Sequence, residues 1–121
     1  MPQYAALIYE PGDPDWSVLD TPEKNETMAG YGAFGAAAAS VMRGGAALYP
    51  TTTATTVRAP QGEIVTSDGP FAETKEVLTG FYLLECADLD EAVGWAARLP
   101  AATTGTVEVR PVIDFGAQGP A

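Results

Sequence analysis

Histidine is absent from this chain of 121 residues, and cysteine occurs once, as Cys86. Without histidine, Ser40 and Ser67 have no imidazole base, which removes the usual route to a serine nucleophile. Zinc is nearly removed as well, because it prefers Cys and His ligands. A lone cysteine forms no intramolecular disulfide. Cys86 closes an apolar run with no His or Lys beside it, so it reads as a buried, inert thiol. Bases are scarce too. Six Lys and Arg face sixteen Asp and Glu, giving a net charge of −10. Such a surface repels nucleic-acid backbones and anionic membranes, so neither is expected as a partner. No apolar run has the length of a membrane span, and residues 1–10 lack the basic region of a signal peptide. A cytoplasmic location is the resulting expectation. A carboxylate site for Mg²⁺ or Ca²⁺ stays open, but no spaced acidic loop advertises one, and no metal is the expectation. No other cofactor is expected either, because no glycine-rich phosphate loop follows a strand.

What remains is apolar and small. Hydrophobic residues make up 46% of the chain, much of it alanine, so four Phe, five Tyr and two Trp must supply the bulk of a core. The length suits one domain, expected over 1–113 with a Gly/Pro-rich tail at 114–121 that frays. Residues 3–9 read as a buried strand that stops at the breaker cluster Glu10–Pro14. Thr21-Pro22-Glu23 starts a helix with a capping hydroxyl, a proline at the first position and an acid at the positive end. Met28, Tyr31, Phe34, Ala38 and Val41 give its apolar stripe. Gly30, Gly32 and Gly35 weaken it and allow a close approach, and Gly44-Gly45 is read as its end. Residues 46–50 look extended, and 54–66 read as a hairpin turning at Pro60-Gln61-Gly62.

The strongest strand is 80–86, where Phe81, Tyr82, Leu83 and Leu84 are continuous. A strand apolar on both faces needs cover on both faces. Helices supply one cover, and a second copy of the chain is the economical source of the other. Asp88 and Glu91 form a capping box for a short helix with Leu89, Ala92, Val93 and Ala96 inward. Residues 107–113 are the last strand. The order β-α-β-β-β-α-β, less one inserted hairpin strand, leaves βαββαβ. This is the ferredoxin-like α+β arrangement with an antiparallel sheet.

The block Asp68-Gly-Pro-Phe-Ala-Glu-Thr-Lys-Glu76, followed by Gly80-Phe-Tyr, resembles the signature of the YCII-related family in its Asp-Gly-Pro-Phe branch. Asp88–Ala92, Trp95–Pro100 and Gly105 through Val112 carry the resemblance further. It implies a dimeric α+β barrel in which two sheets pack face to face. For some members it implies a His–Asp dyad, which cannot be carried over to a chain without histidine. It also suggests association with an extracytoplasmic-function sigma factor.

Asp68 is the leading candidate for chemistry. It is read either as a general base in a cavity beside the sheet or as the acceptor in its own Asx-type turn with Gly69. Glu76 is a candidate proton carrier and Lys75 a candidate anion holder; a solvated Lys75–Glu76 pair is the plainer reading. Glu73 stands slightly behind them. Gly69, Pro70, Phe71, Tyr82 and Arg110 complete the candidate ligand-binding set, with Phe71 and Tyr82 read first as core. Arg58 and Arg110 are strand bases, and Arg110 is expected to pair with an acid across a dimer interface or to bind a carboxylate. Tyr9 is a further strand aromatic. Three functions follow from these residues. The first is a homodimeric protein binding a small anionic or aromatic ligand, or serving an accessory role, with its pocket near 68–76. The second is a histidine-independent lyase or isomerase using Asp68 or Glu76. The third is a protein partner of a sigma factor.

Overall fold

A computed structural model describes residues 1–13 and 21–116. The expected loop at 10–20 and tail at 114–121 lie partly outside these residues.

Strand β1 (Gln3–Glu10) is central, and helix α1 (Pro22–Ala37) follows. Thr21 caps α1 by accepting from the Lys24 N–H at 3.2 Å, with Pro22 in the first turn as its missing donor permits. The helix stops at Ala37, earlier than the Gly44-Gly45 end expected from sequence. Those glycines instead belong to strand β2 (Met42–Ala47). Their presence there has a steric reason: a Cβ at Gly45 would stand 2.6 Å from the Phe81 carbonyl oxygen. Strands β3 (Thr55–Arg58) and β4 (Val65–Asp68) follow, then β5 (Val77–Glu85), α2 (Leu89–Ala96), a one-turn α3 (Ala101–Thr104) and β6 (Thr106–Pro111). The α3 turn was not expected from sequence.

The main sheet has the order β2-β5-β1-β6 with every neighbouring pair antiparallel. With β3 and β4 set aside, this is the βαββαβ ferredoxin-like arrangement. The insertion is a complete hairpin: β3 and β4 pair with each other in a separate two-stranded sheet.

The helices cover one face of the main sheet. Tyr4, Ala6 and Ile8 of β1 and Leu84 of β5 are buried there against Phe34, Ala38 and Val41. The Phe34 ring lies 5.2 Å from Tyr82 and 6.3 Å, edge-on, from Trp95. Burying such a ring is worth about 2–3 kcal/mol. Of the two remaining stripe residues, Tyr31 is partly buried against this core, whereas Met28 is 61% exposed. Gly30 does permit a close approach, since its absent Cβ would sit 2.9 Å from Pro100 Cγ. α2 is capped as its sequence implies: Asp88 accepts from the Glu91 N–H at 2.9 Å.

Register puts Ala5, Leu7 and Tyr9 of β1 with Leu83, Phe81 and Leu78 of β5 on the face away from the helices. No element among the described residues packs across them as a layer. Ala5, Leu7, Tyr9, Phe81 and Leu83 are half-buried by their neighbours alone.

Candidate functional site

The 68–76 block begins where the hairpin ends. Asp68 is the last residue of β4, opposite Thr55. Gly69 turns the chain at φ +92°, a left-handed conformation that glycine adopts without Cβ strain. Its N–H donates to the Ala54 carbonyl at 2.7 Å, and its own carbonyl accepts from Thr56 Oγ1 at 2.8 Å. The turn is therefore closed by backbone and a threonine. The Asp68 carboxylate is exposed and accepts no hydrogen bond among the described residues. It is neither enclosed in a cavity nor spent on its own turn.

Pro70 is exposed, and Phe71 is 80% exposed, so its ring does not plug the core as the sequence suggested. The return from the hairpin belongs to neither sheet, and the described residues leave the ring largely in solvent. Glu73 and Lys75 are also exposed. Lys75 makes no ion pair among the described residues, so the expected Lys75–Glu76 pair is not formed. Glu76 turns to the sheet instead, where its Oε1 accepts from Thr106 Oγ1 at 2.7 Å. Its carbonyl accepts from Thr74 Oγ1.

The remaining candidates lie elsewhere. Arg110 Nε donates to Glu108 Oε1 at 3.0 Å within β6, an exposed pair worth about 0–1 kcal/mol. Tyr82 faces the helices against Phe34, where burial raises its hydroxyl pKa. Tyr9 belongs to the opposite face. Cys86 is fully buried, and burial followed by the Glu91 carboxylate pushes its thiol pKa up, as expected of an inert thiol.

One cluster escaped the sequence reading. Glu10 ends β1, and its two carboxylate oxygens accept from Thr104 Oγ1 at 3.1 and 3.0 Å. Tyr31 of α1 lies in its field. Burial, then Glu10 and then Tyr82 push the Tyr31 hydroxyl up to about 12, against a smaller lowering by a hydrogen bond from the Ala101 backbone. The only sequence signal was a tyrosine in the apolar stripe of α1. Glu10 read merely as the edge of a breaker cluster.

An open groove of about 790 Å³ lies between the chain start and the end of β6. Met1, Pro2, Gln3, Glu85 and Val112–Phe115 line it, and none belongs to the 68–76 block. Among the described residues no group of three or more His, Cys, Asp or Glu stands together as a metal site. No helix among them is long and apolar enough to cross a membrane.

The architecture is that of an α+β protein with a ferredoxin-like sheet and helices on one face, the opposite face being uncovered by the described residues. Residues 4–116 match the YCII-related domain, and the chain belongs to that family. It is also 56% identical over 69 residues to an uncharacterised protein of Rhizobium meliloti (strain 1021). That alignment covers 55% of this chain and 56% of the relative, so the chain spans little more than half of the protein it matches.

Proposed function

We propose that this is a cytoplasmic protein of the family's Asp-Gly-Pro-Phe branch, homodimeric, that binds a small anionic or aromatic ligand at the 68–76 block. The observation that carries the ligand reading is the set of recognition groups left unused within the chain. The Phe71 ring, the Lys75 ammonium and the Asp68 carboxylate all stand exposed on one short segment. An aromatic ring and a cation on one short segment suit an aromatic carboxylate. Gly69 and Pro70 fix the path of the segment that presents them.

The uncovered sheet face supports the dimer. Leu7, Phe81 and Leu83 stand half-buried on that face with no layer of described residues across them, and packing two such faces together would take them out of water.

A thermal-shift screen of small aromatic carboxylates tests the ligand. A hit whose shift is lost in Lys75→Ala and Phe71→Ala supports the reading. A hit indifferent to both moves the site away from this block. A wild type that sediments as a monomer at micromolar concentration ends the dimer reading.

Acid–base chemistry on Asp68 or Glu76 has less support, because one is exposed and the other is engaged by Thr106. The net charge of −10 favours a second reading, an accessory role toward a basic protein partner such as a sigma factor. Failure of such a factor to co-purify would count against it.

A further inference from the structure

Asp68-Gly69 is the sole Asp-Gly or Asn-Gly pair in the sequence. Such a pair carries chemistry of its own. A backbone amide nitrogen can attack the side-chain carboxyl carbon of the aspartate before it and close a five-membered ring. A side chain on the attacking residue crowds that closure, and glycine has none. Every other aspartate precedes a residue with a side chain, and Asp13 precedes a proline, which has no N–H. The fold leaves the Asp68 carboxyl free to react. It is exposed and accepts no hydrogen bond among the described residues. Asp13 and Asp88 are spent by comparison. Asp13 accepts from the Thr51 N–H and Oγ1 at 3.0 and 2.6 Å, and Asp88 accepts from the Glu91 N–H. No described residue stands within 4 Å of the Cβ position of Gly69, so the space beside the attacking residue is open. Two hydrogen bonds restrain it: the Gly69 N–H donates to the Ala54 carbonyl at 2.7 Å, and the Gly69 carbonyl accepts from Thr56 Oγ1 at 2.8 Å. Both lie at the end of a two-stranded hairpin, an element marginal in water by itself. Opening of that end releases the amide.

We propose that Asp68-Gly69 is a site of spontaneous covalent modification, where Asp68 converts to isoaspartate at a rate set by the hairpin end. The Gly69 nitrogen bonds to Asp68 Cγ, its proton and the carboxyl hydroxyl leave as water, and a succinimide forms. Water then adds back. Cleavage of the nitrogen–Cγ bond restores aspartate. Cleavage of the bond from nitrogen to the Asp68 main-chain carbonyl carbon leaves isoaspartate. Atoms balance without oxidant or cofactor, and the mass is unchanged. In the product the main chain runs through Cβ and Cγ, one carbon longer, and a free α-carboxylate is left behind. The longer path displaces Gly69 from Ala54 and re-aims the 70–76 segment that follows. The chemistry does not depend on that segment binding a ligand.

The test ages the wild-type protein folded and, in parallel, in denaturant. Isoaspartate is read by enzymatic methylation of the new α-carboxylate and placed by peptide mapping. It is expected at residue 68 of the folded protein, ahead of any other position. Its absence there overturns the proposal, whatever the denatured chain does. Thr56→Val removes the bond to the Gly69 carbonyl and should raise the rate severalfold, with far-UV circular dichroism establishing that the variant folds. A folded Thr56→Val that ages at the wild-type rate overturns the control by the hairpin end. Asp68→Asn gives an independent measure, because the same ring closure then expels ammonia. Loss of the amide from the folded variant supports the site, and an amide kept when folded but lost in denaturant overturns it.

Discussion

Thr104 Oγ1 donates to the Glu10 carboxylate, 3.1 and 3.0 Å from its two oxygens, and so ties the end of α3 to the end of β1 across 94 residues of chain. The same carboxylate lies in the environment of the Tyr31 hydroxyl and helps keep it neutral. Glu10→Gln removes that charge. The Tyr31 pKa is expected to fall from about 12. Ultraviolet titration of tyrosinate, with Tyr31→Phe to assign the transition, measures it, and an unchanged midpoint would separate the two residues.

Alkaline stability follows from the same tyrosine. Its folded pKa is raised to about 12 from an ordinary 10.0. Between those values the unfolded chain gives up the proton that the folded chain keeps, so unfolding gains ground as pH rises. The stabilisation is whole below pH 10 and is lost as pH climbs through about 12. Burial of Tyr82 acts in the same direction. Urea midpoints taken from pH 9 upward should fall in wild type and fall less in Tyr31→Phe.

Phe34 joins α1 to the sheet through Tyr82 and to α2 through Trp95. Phe34→Ala should cost about 3–5 kcal/mol, enough to unfold a marginal domain. Denaturant unfolding would read this as a lower midpoint, and a loss under 1 kcal/mol would mean that the ring contacts contribute little.

A methyl group at Gly80 should be as damaging as a cavity. Its Cβ would meet the Ala46 carbonyl oxygen at 2.7 Å, where β2 and β5 pair. Gly80→Ala is expected to lose about 1–3 kcal/mol through forced separation of the strands. Gly32→Ala is the control, because nothing stands within 4 Å of its Cβ position. In the helix interior that change should stabilise by roughly 0.5–1 kcal/mol.

Asp68→Ala separates structure from recognition. The carboxylate accepts no hydrogen bond among the described residues, so the melting temperature should barely move, within about 0.5 kcal/mol in stability. A large drop would mean that the side chain supports the turn after all.

The sheet and its helices were legible because their signals are local and mutually consistent. Thr21-Pro22-Glu23 and Asp88 with Glu91 announce helix starts, and the continuous run Phe81–Leu84 announces a strand. The end of α1 was misread because a glycine pair usually stops a helix. Here Gly44 and Gly45 serve strand packing, a demand set by β5 some 35 residues on in the chain. Phe71 was misread because an aromatic residue ordinarily finds a core, and only the tertiary path shows that the described residues leave it 80% exposed. The Glu10–Thr104 contact and its influence on Tyr31 depend on three distant segments meeting, which no spacing encodes.

The complete burial of Cys86 has a practical consequence. As the sole thiol in the chain, it is shielded from a maleimide or disulfide reagent until the fold opens around it. Modification kinetics at that one atom therefore time the opening of the protein core without any introduced label. Where reagent is in excess and opening limits, the rate reports how often the native state comes apart.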